Sequence, residues 1–161
     1  MEKKKITEIL KERFQEKIKE TSAQFGDATV AIDRDFLIDL SKFLMKESYA
    51  YTMLLDMTCV DYLGDDLRFE MVYHLFSITN NDRVRIKVRL SEKDLKIDSL
   101  TPLWKNANWL EREIFDMFGI HFEGHPYLER LFMYDGFEGH PLRKDYPLRK
   151  RQPMIPMRKK E

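Results

Sequence analysis

The segment Leu67–Leu90, LRFEMVYHLFSITNNDRVRIKVRL, decides the fold because it contains two extended runs separated by a turn. In the second run apolar residues alternate with basic ones, which is the period of a strand with one buried face. Asn80 and Asn81 lie between the runs, and asparagine tolerates the positive φ that a two-residue hairpin turn requires. We therefore predict a β-hairpin whose second strand covers Asp82–Leu90.

The segments before the hairpin predict two helices and a strand. Residues 3–20 place their apolar side chains on one stripe, which is typical of an amphipathic helix. The short apolar run Ala28–Ile32 predicts a strand. A second helix should follow through residues 36–44, and Asp33 or Asp35 can cap it.

The segments on either side of the hairpin complete the predicted domain. Residues 49–63 are rich in apolar and β-branched residues, and a turn at Gly64 should pair them with the hairpin. Residues 108–118 have helical spacing, and Gly119 should end that helix.

This order of elements predicts an α+β fold, in which helices cover one side of a mixed, mainly antiparallel sheet in two layers. We place the α+β domain at residues 1–118. Residues 119–161 should form an extended, basic tail rich in Pro and Gly, because those residues prevent a long helix or a central strand. The tail is expected to pack on the domain and on partner proteins.

Composition restricts the possible functions. Cys59 is the single cysteine in 161 residues, so the chain cannot form an internal disulfide or a four-thiolate iron–sulfur or zinc site. No apolar run is long enough to span a bilayer, and the N-terminus lacks the continuous apolar stretch of a secretory signal. These features favour the cytosol or the cytosolic side of a membrane. No P-loop, GxGxxG or GxSxG is present, which leaves nucleotide cradles and α/β-hydrolase chemistry without support.

Charge is distributed unevenly along the chain, although its net charge is zero. Residues 141–161 contain eight Lys or Arg and two acidic residues, so this segment carries +6 and the remainder carries −6. Two classes of surface could hold such a segment: the acidic remainder of the same chain, or an acidic neighbouring protein or membrane surface.

The strand Asp82–Leu90 has a uniformly basic outer face. We favour a solvated face paired across strands with acidic residues such as Glu70, since unpaired charge is costly to bury. A docking surface for a partner is the main alternative. Nucleic-acid binding is disfavoured because no aromatic residue is interleaved with the basic ones on this strand.

The helix over residues 108–118 carries three carboxylates, on Glu111, Glu113 and Asp116. Glu113 and Asp116 share a face and could form an acid/base pair, because a buried carboxylate pair separates its pKa values. We favour structural pairing instead. Arg112 lies four residues before Asp116, the spacing of an ion pair along a helix, and Glu111 or Glu113 can meet Arg or Lys from the tail or a partner.

Five potential metal ligands follow the helix: His121, Glu123, His125, Asp135 and His140. A zinc or iron site is disfavoured, because His121 and His125 would converge only on a helix and the glycines and prolines around them oppose one. We expect His125 and His140 to anchor turns by hydrogen bonding to the backbone.

Arg143, Lys144 and Asp145 lie between two prolines and form a short stiff strip. Stiff segments lose less entropy when they dock, and Arg143 can bind a carboxylate in bidentate fashion. Tyr146 adds an aromatic anchor that is typical of interfaces. This strip favours a function in recognition.

The stretches ANWLEREIFDMFGIHFEGHP and GFEGHPLRKDYP closely resemble the signature of the thirty-kilodalton subunit, also called the C subunit, of NADH:quinone oxidoreductase, which is respiratory complex I. LLDMTCVDY, RFEMVYHLFS, RVRIKVRL and SLTPLWKNANW also resemble that family in order and spacing. The resemblance covers about Tyr49 to Pro147. One departure is Glu129, where the family usually has a basic residue.

The resemblance implies a non-catalytic structural and assembly subunit of the peripheral arm, on the cytoplasmic side of the inner membrane. It implies docking to the D subunit, which forms the quinone site, and contact with the B subunit and neighbouring iron–sulfur subunits. NADH, FMN, iron–sulfur clusters and quinone would be bound by other subunits, and this chain would act only within the complex. Similar subunits of membrane-bound hydrogenases, or of complexes fed by ferredoxin or a reduced coenzyme, remain as alternatives.

No residue is assigned to catalysis, cofactor binding or metal binding. The residues expected to contact partners are Glu111, Arg112, Glu113, Asp116, His125, Arg130, His140, Arg143, Lys144, Asp145 and Tyr146. A freestanding metal-dependent enzyme that uses the histidines is the rival from another class.

Overall fold

The computed structural model describes residues 6–23 and 26–153. Its helices are α1 (Ile6–Arg13), α2 (Leu37–Leu44) and α3 (Ala107–Phe118), and a 3₁₀ turn (Arg34–Phe36) leads into α2. Its strands are β1 (Ile18–Ser22), β2 (Ala28–Ile32), β3 (Met53–Asp61), β4 (Phe69–Ser77), β5 (Asp82–Leu90), β6 (Lys96–Asp98) and β7 (His121–Glu123).

Five strands of the described chain form one sheet in the order β1-β2-β5-β4-β3. The β2–β5 pair is parallel, and the β1–β2, β5–β4 and β4–β3 pairs are antiparallel. A short parallel pair, β6 with β7, forms a second small sheet. The predicted α+β class with a mixed, mainly antiparallel sheet is confirmed.

The helices pack on one face of the large sheet, because residues from all three helices and from the inward face of the strands form a single buried cluster. In β5 the apolar residues of the alternating pattern point inward and are nearly inaccessible to solvent: Val84, Ile86, Val88 and Leu90. In β4 the inward residues include Phe69, Met71, Tyr73 and Leu75. Burial of each such side chain contributes about 1.5–3 kcal/mol, so this cluster is the main source of stability.

The predicted hairpin is confirmed, although its loop is longer than predicted. The last paired residues are Ser77 and Asp82, which leaves four residues between the strands. Asn81 has a φ of 47° and supplies the left-handed position. Asn80 donates a hydrogen bond of 2.8 Å from its side-chain amide to the carbonyl of Tyr49, and this bond ties the loop to the segment before β3.

The first predicted helix is too long. Residues 3–5 lie outside the described residues, α1 ends at Arg13, and Ile18 belongs to β1. The apolar stripe fits both arrangements, but pairing with β2 satisfies the backbone of residues 18–22 and thereby ends the helix. The predicted cap of the second helix is also absent, because no side chain of the described residues caps α2 or the 3₁₀ turn before it.

The domain extends beyond the predicted boundary at residue 118. Ile120 and Phe122 are buried in the core, and β7 pairs with β6. The boundary was placed too early because Gly119 ends a helix without ending the domain. Residues 124–153 form turns and coil, and the part of the predicted tail beyond residue 153 lies outside the described residues.

The outer face of the sheet has no helix over it in the described chain. Glu70 bonds with Lys87 at 2.9 Å and with Arg89 at 3.0 Å, so the predicted pairing of the basic face is confirmed for these two cations.

Candidate docking site

Helix α3 is the platform of the candidate site. It buries Ile114, Met117 and Phe118 against the core and ends at Gly119, whose φ of 78° lets its N–H bond to the Phe115 carbonyl at 2.9 Å. Residues 124–146, which we call the returning chain, fold back over this helix end. A Cβ on Gly119 would lie 2.5 Å from His140 Nε2 and 2.8 Å from an Arg143 guanidinium nitrogen, so glycine is required for the returning chain to pack.

Asp116 is the anchor of the returning chain. Its side chain is 0% exposed, and Oδ2 accepts hydrogen bonds from three consecutive backbone N–H groups, those of Leu131, Phe132 and Met133, at 3.0, 2.8 and 2.9 Å. Arg130 donates to Oδ1 at 3.0 Å. Burial opposes ionisation of Asp116, but these donors outweigh it and hold its pKa below the ordinary value.

The predicted pair between Arg112 and Asp116 is wrong. Arg112 donates instead to the carbonyls of Glu129 at 3.0 Å and Arg130 at 3.2 Å. The returning chain brings a full set of donors to Asp116, and it brings carbonyl acceptors to Arg112. Long-range contacts therefore replace the local i,i+4 pair.

Glu111 is 0% exposed and lies on the inner side of α3. Its two oxygens accept bonds of 2.6 Å from Ser99 Oγ and from the backbone N–H of Leu100. Burial raises its pKa to about 7. Glu113, by contrast, is exposed.

This arrangement separates the proposed acid/base pair, since Glu113 faces outward and Asp116 is enclosed. The predicted pairing of Glu111 with a cation is also wrong within the described chain, because its partners are a hydroxyl and an amide. Glu111 and Asp116 cannot contact a partner directly, since neither is accessible.

The histidines anchor turns as predicted. His125 accepts a bond from the N–H of Tyr127 on Nδ1 at 3.0 Å, so its Nε2 carries the proton and donates to the Asn108 carbonyl at 3.2 Å. His140 Nδ1 donates to the Asp116 carbonyl at 2.9 Å. Burial lowers the pKa of both histidines. Within residues 6–23 and 26–153, no three His, Cys, Asp or Glu side chains are close enough together to hold a metal ion.

The strip at residues 143–146 docks on its own domain. Asp145 forms two bonds of 2.8 and 2.9 Å with Arg68, which is 3% exposed and also bonds twice to Asp61 at 2.8 Å. The backbone N–H of Lys144 donates to Asp61 at 2.8 Å. Hydrogen bonds from Arg68 hold the pKa of Asp61 and Asp145 below the ordinary value.

Two further side chains of the strip also contact residues of the same chain. Arg143 donates to the Phe118 carbonyl at 2.6 Å, and Tyr146 stacks on Phe137 with ring centroids 6.1 Å apart. The acidic remainder of the same chain therefore holds this part of the tail, which is one of the two surfaces that its charge allowed. The Lys144 side chain is exposed.

Sequence reasoning assigned no role to Asp61 and Arg68, because their partners in the strip, the N–H of Lys144 and the carboxylate of Asp145, lie 83 and 77 residues away along the chain. It also missed Tyr127, and it assigned no docking role to Trp109.

Two exposed aromatic side chains flank the half-buried Arg112 on the platform, and we call Trp109, Arg112 and Tyr127 the aromatic patch. The Arg112 guanidinium lies 5.1 Å from the Trp109 ring and 5.3 Å from the Tyr127 ring. Trp109 is 60% exposed and Tyr127 is 55% exposed. The Glu129 carboxylate accepts a bond of 2.5 Å from the Tyr127 hydroxyl, which fixes the position of the Tyr127 ring.

No helix within residues 6–23 and 26–153 is long and apolar enough to cross a bilayer.

A family model and individual relatives each match most of this chain. The family described as respiratory-chain NADH dehydrogenase, 30 Kd subunit, matches residues 30–152. The C subunit of NADH-quinone oxidoreductase from Citrifermentans bemidjiense is 50% identical over 139 residues, which are 86% of either chain. The corresponding C subunit from Geobacter sulfurreducens is 46% identical over 140 residues, with the same coverage.

Two solved structures have similar folds. A trypsin-resistant fragment of Nqo5 aligns with a TM-score of 0.67 at 30% identity, over 76% of this chain and 98% of the fragment. A chain of the archaeal membrane-bound sulfane sulfur reductase aligns with a TM-score of 0.75 over 89% of this chain and 84% of that one. Its identity is 22%, so this second similarity concerns the fold alone.

Proposed function

The chain belongs to the family of 30 Kd subunits of respiratory-chain NADH dehydrogenase, and on this premise we propose that it is a non-catalytic assembly subunit that docks the quinone-site subunit of the complex. The observation that carries the proposal is the aromatic patch, which is exposed on a platform fixed by buried polar anchors. Catalysis and proton translocation then belong to the complex, and the isolated chain has no activity.

The composition of the patch supports a docking role. Tryptophan, tyrosine and arginine dominate the residues that carry binding energy at protein interfaces. Arg112 is held by two carbonyls and two rings, so its rotamer is set before any partner arrives. Preorganisation of this kind lowers the entropy lost on association.

The assignment of cofactors to other subunits follows from the residues available. With one cysteine, buried in β3, this chain cannot supply the thiolates of an iron–sulfur cluster. In this proposal NADH, FMN, the clusters and quinone are bound elsewhere. The chain sits peripherally on the cytoplasmic side of the inner membrane, in contact with the quinone-site D subunit, the B subunit and neighbouring iron–sulfur subunits.

A binding measurement tests the docking role. Purified chain is titrated with the purified quinone-site subunit of the same complex, and the double variant Trp109→Ala, Tyr127→Ala is compared with Ile78→Ala. Ile78 is a matched control because it is 64% exposed and lies on the loop between β4 and β5, away from α3.

We expect the double variant to raise Kd by about 30-fold or more, since truncation of a central interface aromatic costs about 2 kcal/mol or more. Thermal unfolding of both variants should match that of the parent chain. Unchanged affinity of the double variant, or an equal loss in Ile78→Ala, would contradict the assignment of the patch. Failure of the parent chain to bind the quinone-site subunit would contradict the docking function itself.

A further inference from the structure

The open face of the sheet has an uneven charge distribution along β5. All four outward residues of this strand are basic, and the two nearer its end, Lys87 and Arg89, share Glu70 as a partner. Arg89 also lies 3.4 Å from Asp65. Positive charge is therefore neutralised at the end of the strand that is remote from the β4–β5 loop.

Arg83 and Arg85, nearer to that loop, have no carboxylate of the described chain within ion-pair distance. The Arg83 guanidinium lies 5.8 Å from the Phe76 ring, and Arg85 reaches Thr29 Oγ1 at 3.5 Å. These are weak contacts for two cations, whose charge is most stable beside an anion.

Two of the carboxylates near these arginines accept hydrogen bonds from other donors. Asp82 accepts bonds from the Tyr51 hydroxyl at 2.6 Å and from the backbone N–H of Arg83 at 2.9 Å. Asp56 accepts the backbone N–H of Met57 at 2.9 Å. The pairing register places His74 opposite Arg85, and burial together with Arg85 lowers the pKa of that histidine.

Apolar side chains border the two arginines. The register aligns Met53 with Phe76 and Phe76 with Arg83, so a methionine, a ring and a guanidinium form one row across the face. Met53 is 40% exposed. The face thus offers two adjacent cations and an apolar strip, and outward residues two apart on a strand are separated by about 6.5–7 Å.

We propose that this face binds an extended acidic segment of another subunit, with two carboxylates spaced two residues apart that pair with Arg83 and Arg85. The same spacing in the ligand segment matches the separation of the two arginines, and an apolar residue of that segment would lie on Phe76 and Met53. This face lies outside the aromatic patch, and the inference does not depend on which subunit docks there.

Carbodiimide cross-linking of the assembled complex tests the proposal, because the reagent joins a lysine amine to a carboxylate with loss of water. Arg85→Lys makes the position reactive, whereas the parent arginine is not. Lys42, exposed on α2, is the control for an amine on another surface, and the native Lys87–Glu70 pair at 2.9 Å is the internal positive control.

The expected result is a cross-linked peptide between position 85 and an Asp or Glu of another subunit, present in the Arg85→Lys complex and absent from the parent. If the new amine in the Arg85→Lys complex is acetylated readily and cross-links only within its own chain, the proposal is overturned. If lipid protects this amine from acetylation and no cross-link to protein forms, the proposal is overturned in favour of a membrane surface.

Charge reversal provides a second, independent measurement. The pair Arg83→Glu, Arg85→Glu is compared with Lys42→Glu, Lys105→Glu, which has the same change in net charge. We expect the first pair to weaken retention of the linked subunit by about tenfold or more at moderate salt, because like charges that face each other are strongly disfavoured. Equal effects of the two pairs would overturn a specific site.

Discussion

Replacement of Asp116 by Asn removes the charge from the anchor of the returning chain while the shape of the side chain is kept. The carboxylate is 0% exposed and accepts four hydrogen bonds, three from backbone N–H groups and one from Arg130. The Asn side chain has only one oxygen that can accept hydrogen bonds from these four N–H groups. Its NH₂ group is itself a donor and would face other donors, so it would find no acceptor there. Arg130 would also lose its counter-ion.

The magnitude follows from these contacts. Breaking a buried ion pair costs about 3–5 kcal/mol, and the lower end applies because Arg130 is 27% exposed and keeps part of its hydration. We therefore expect Asp116→Asn to lower the free energy of unfolding by about 3 kcal/mol, or the Tm by about 6–12 °C. Chemical denaturation and calorimetry measure both quantities.

Glu113→Gln is the matched control, because it makes the same chemical change at an exposed position of the same helix and should stay within about 0.5 kcal/mol of the parent. Hydrogen exchange locates the effect: the amides of residues 131–133 should lose protection in Asp116→Asn. Parent-like stability together with parent-like protection of these amides would refute the view that Asp116 holds the returning chain.

Two further predictions concern Glu111 and Gly119. Folding raises the Glu111 pKa to about 7, so the stability contributed by its protonated form is fully present below the unfolded pKa of about 4.3 and is lost as pH rises to 7. Glu111→Gln should remove this dependence, worth roughly 3 kcal/mol, from denaturation curves measured between pH 4 and 8. A parent-like pH dependence in Glu111→Gln would contradict this. Gly119→Ala should lower the free energy of unfolding by more than the roughly 1–2 kcal/mol that a left-handed alanine costs, because its Cβ would also meet His140 and Arg143. Gly124→Ala is the control: Gly124 has the same φ of 78°, and a Cβ there would have nothing of the described chain within 4 Å. This control should show the backbone cost alone. Equal losses of unfolding free energy in the two alanine variants would show that the contact with His140 is unimportant.

The hairpin and the end of α3 could be predicted because both depend on residues close in sequence. Alternation in β5 fixes which side chains face the core, and Gly119 ends a helix through its own backbone. The extent of α1 could not be predicted in this way. Its apolar stripe continues into residues that pair with β2, and that pairing depends on a strand ten residues away.

The site was harder to predict than the fold because its contacts are long-range. Arg112 has a suitable local partner in Asp116 by spacing, but the returning chain supplies better partners to both residues. The Arg68 contact with Asp145 depends on the whole domain bringing two turns together. Charge and spacing indicated which residues take part in strong polar contacts, but not whether the contacts are with the same chain.

In the docking function that we propose, the buried anchors let residues without access to a partner influence binding. Asp116 fixes the backbone of Phe132, whose ring is 60% exposed, and Arg112 is fixed by carbonyls of the same returning chain. If these contacts are loosened, the exposed groups must be ordered again when the partner binds, at about 0.5–1.5 kcal/mol for each long side chain. Asp116→Asn should therefore weaken binding to the quinone-site subunit even at temperatures where the chain remains folded. The loss should appear mainly as faster dissociation, since mutations of one interface act mostly on that rate.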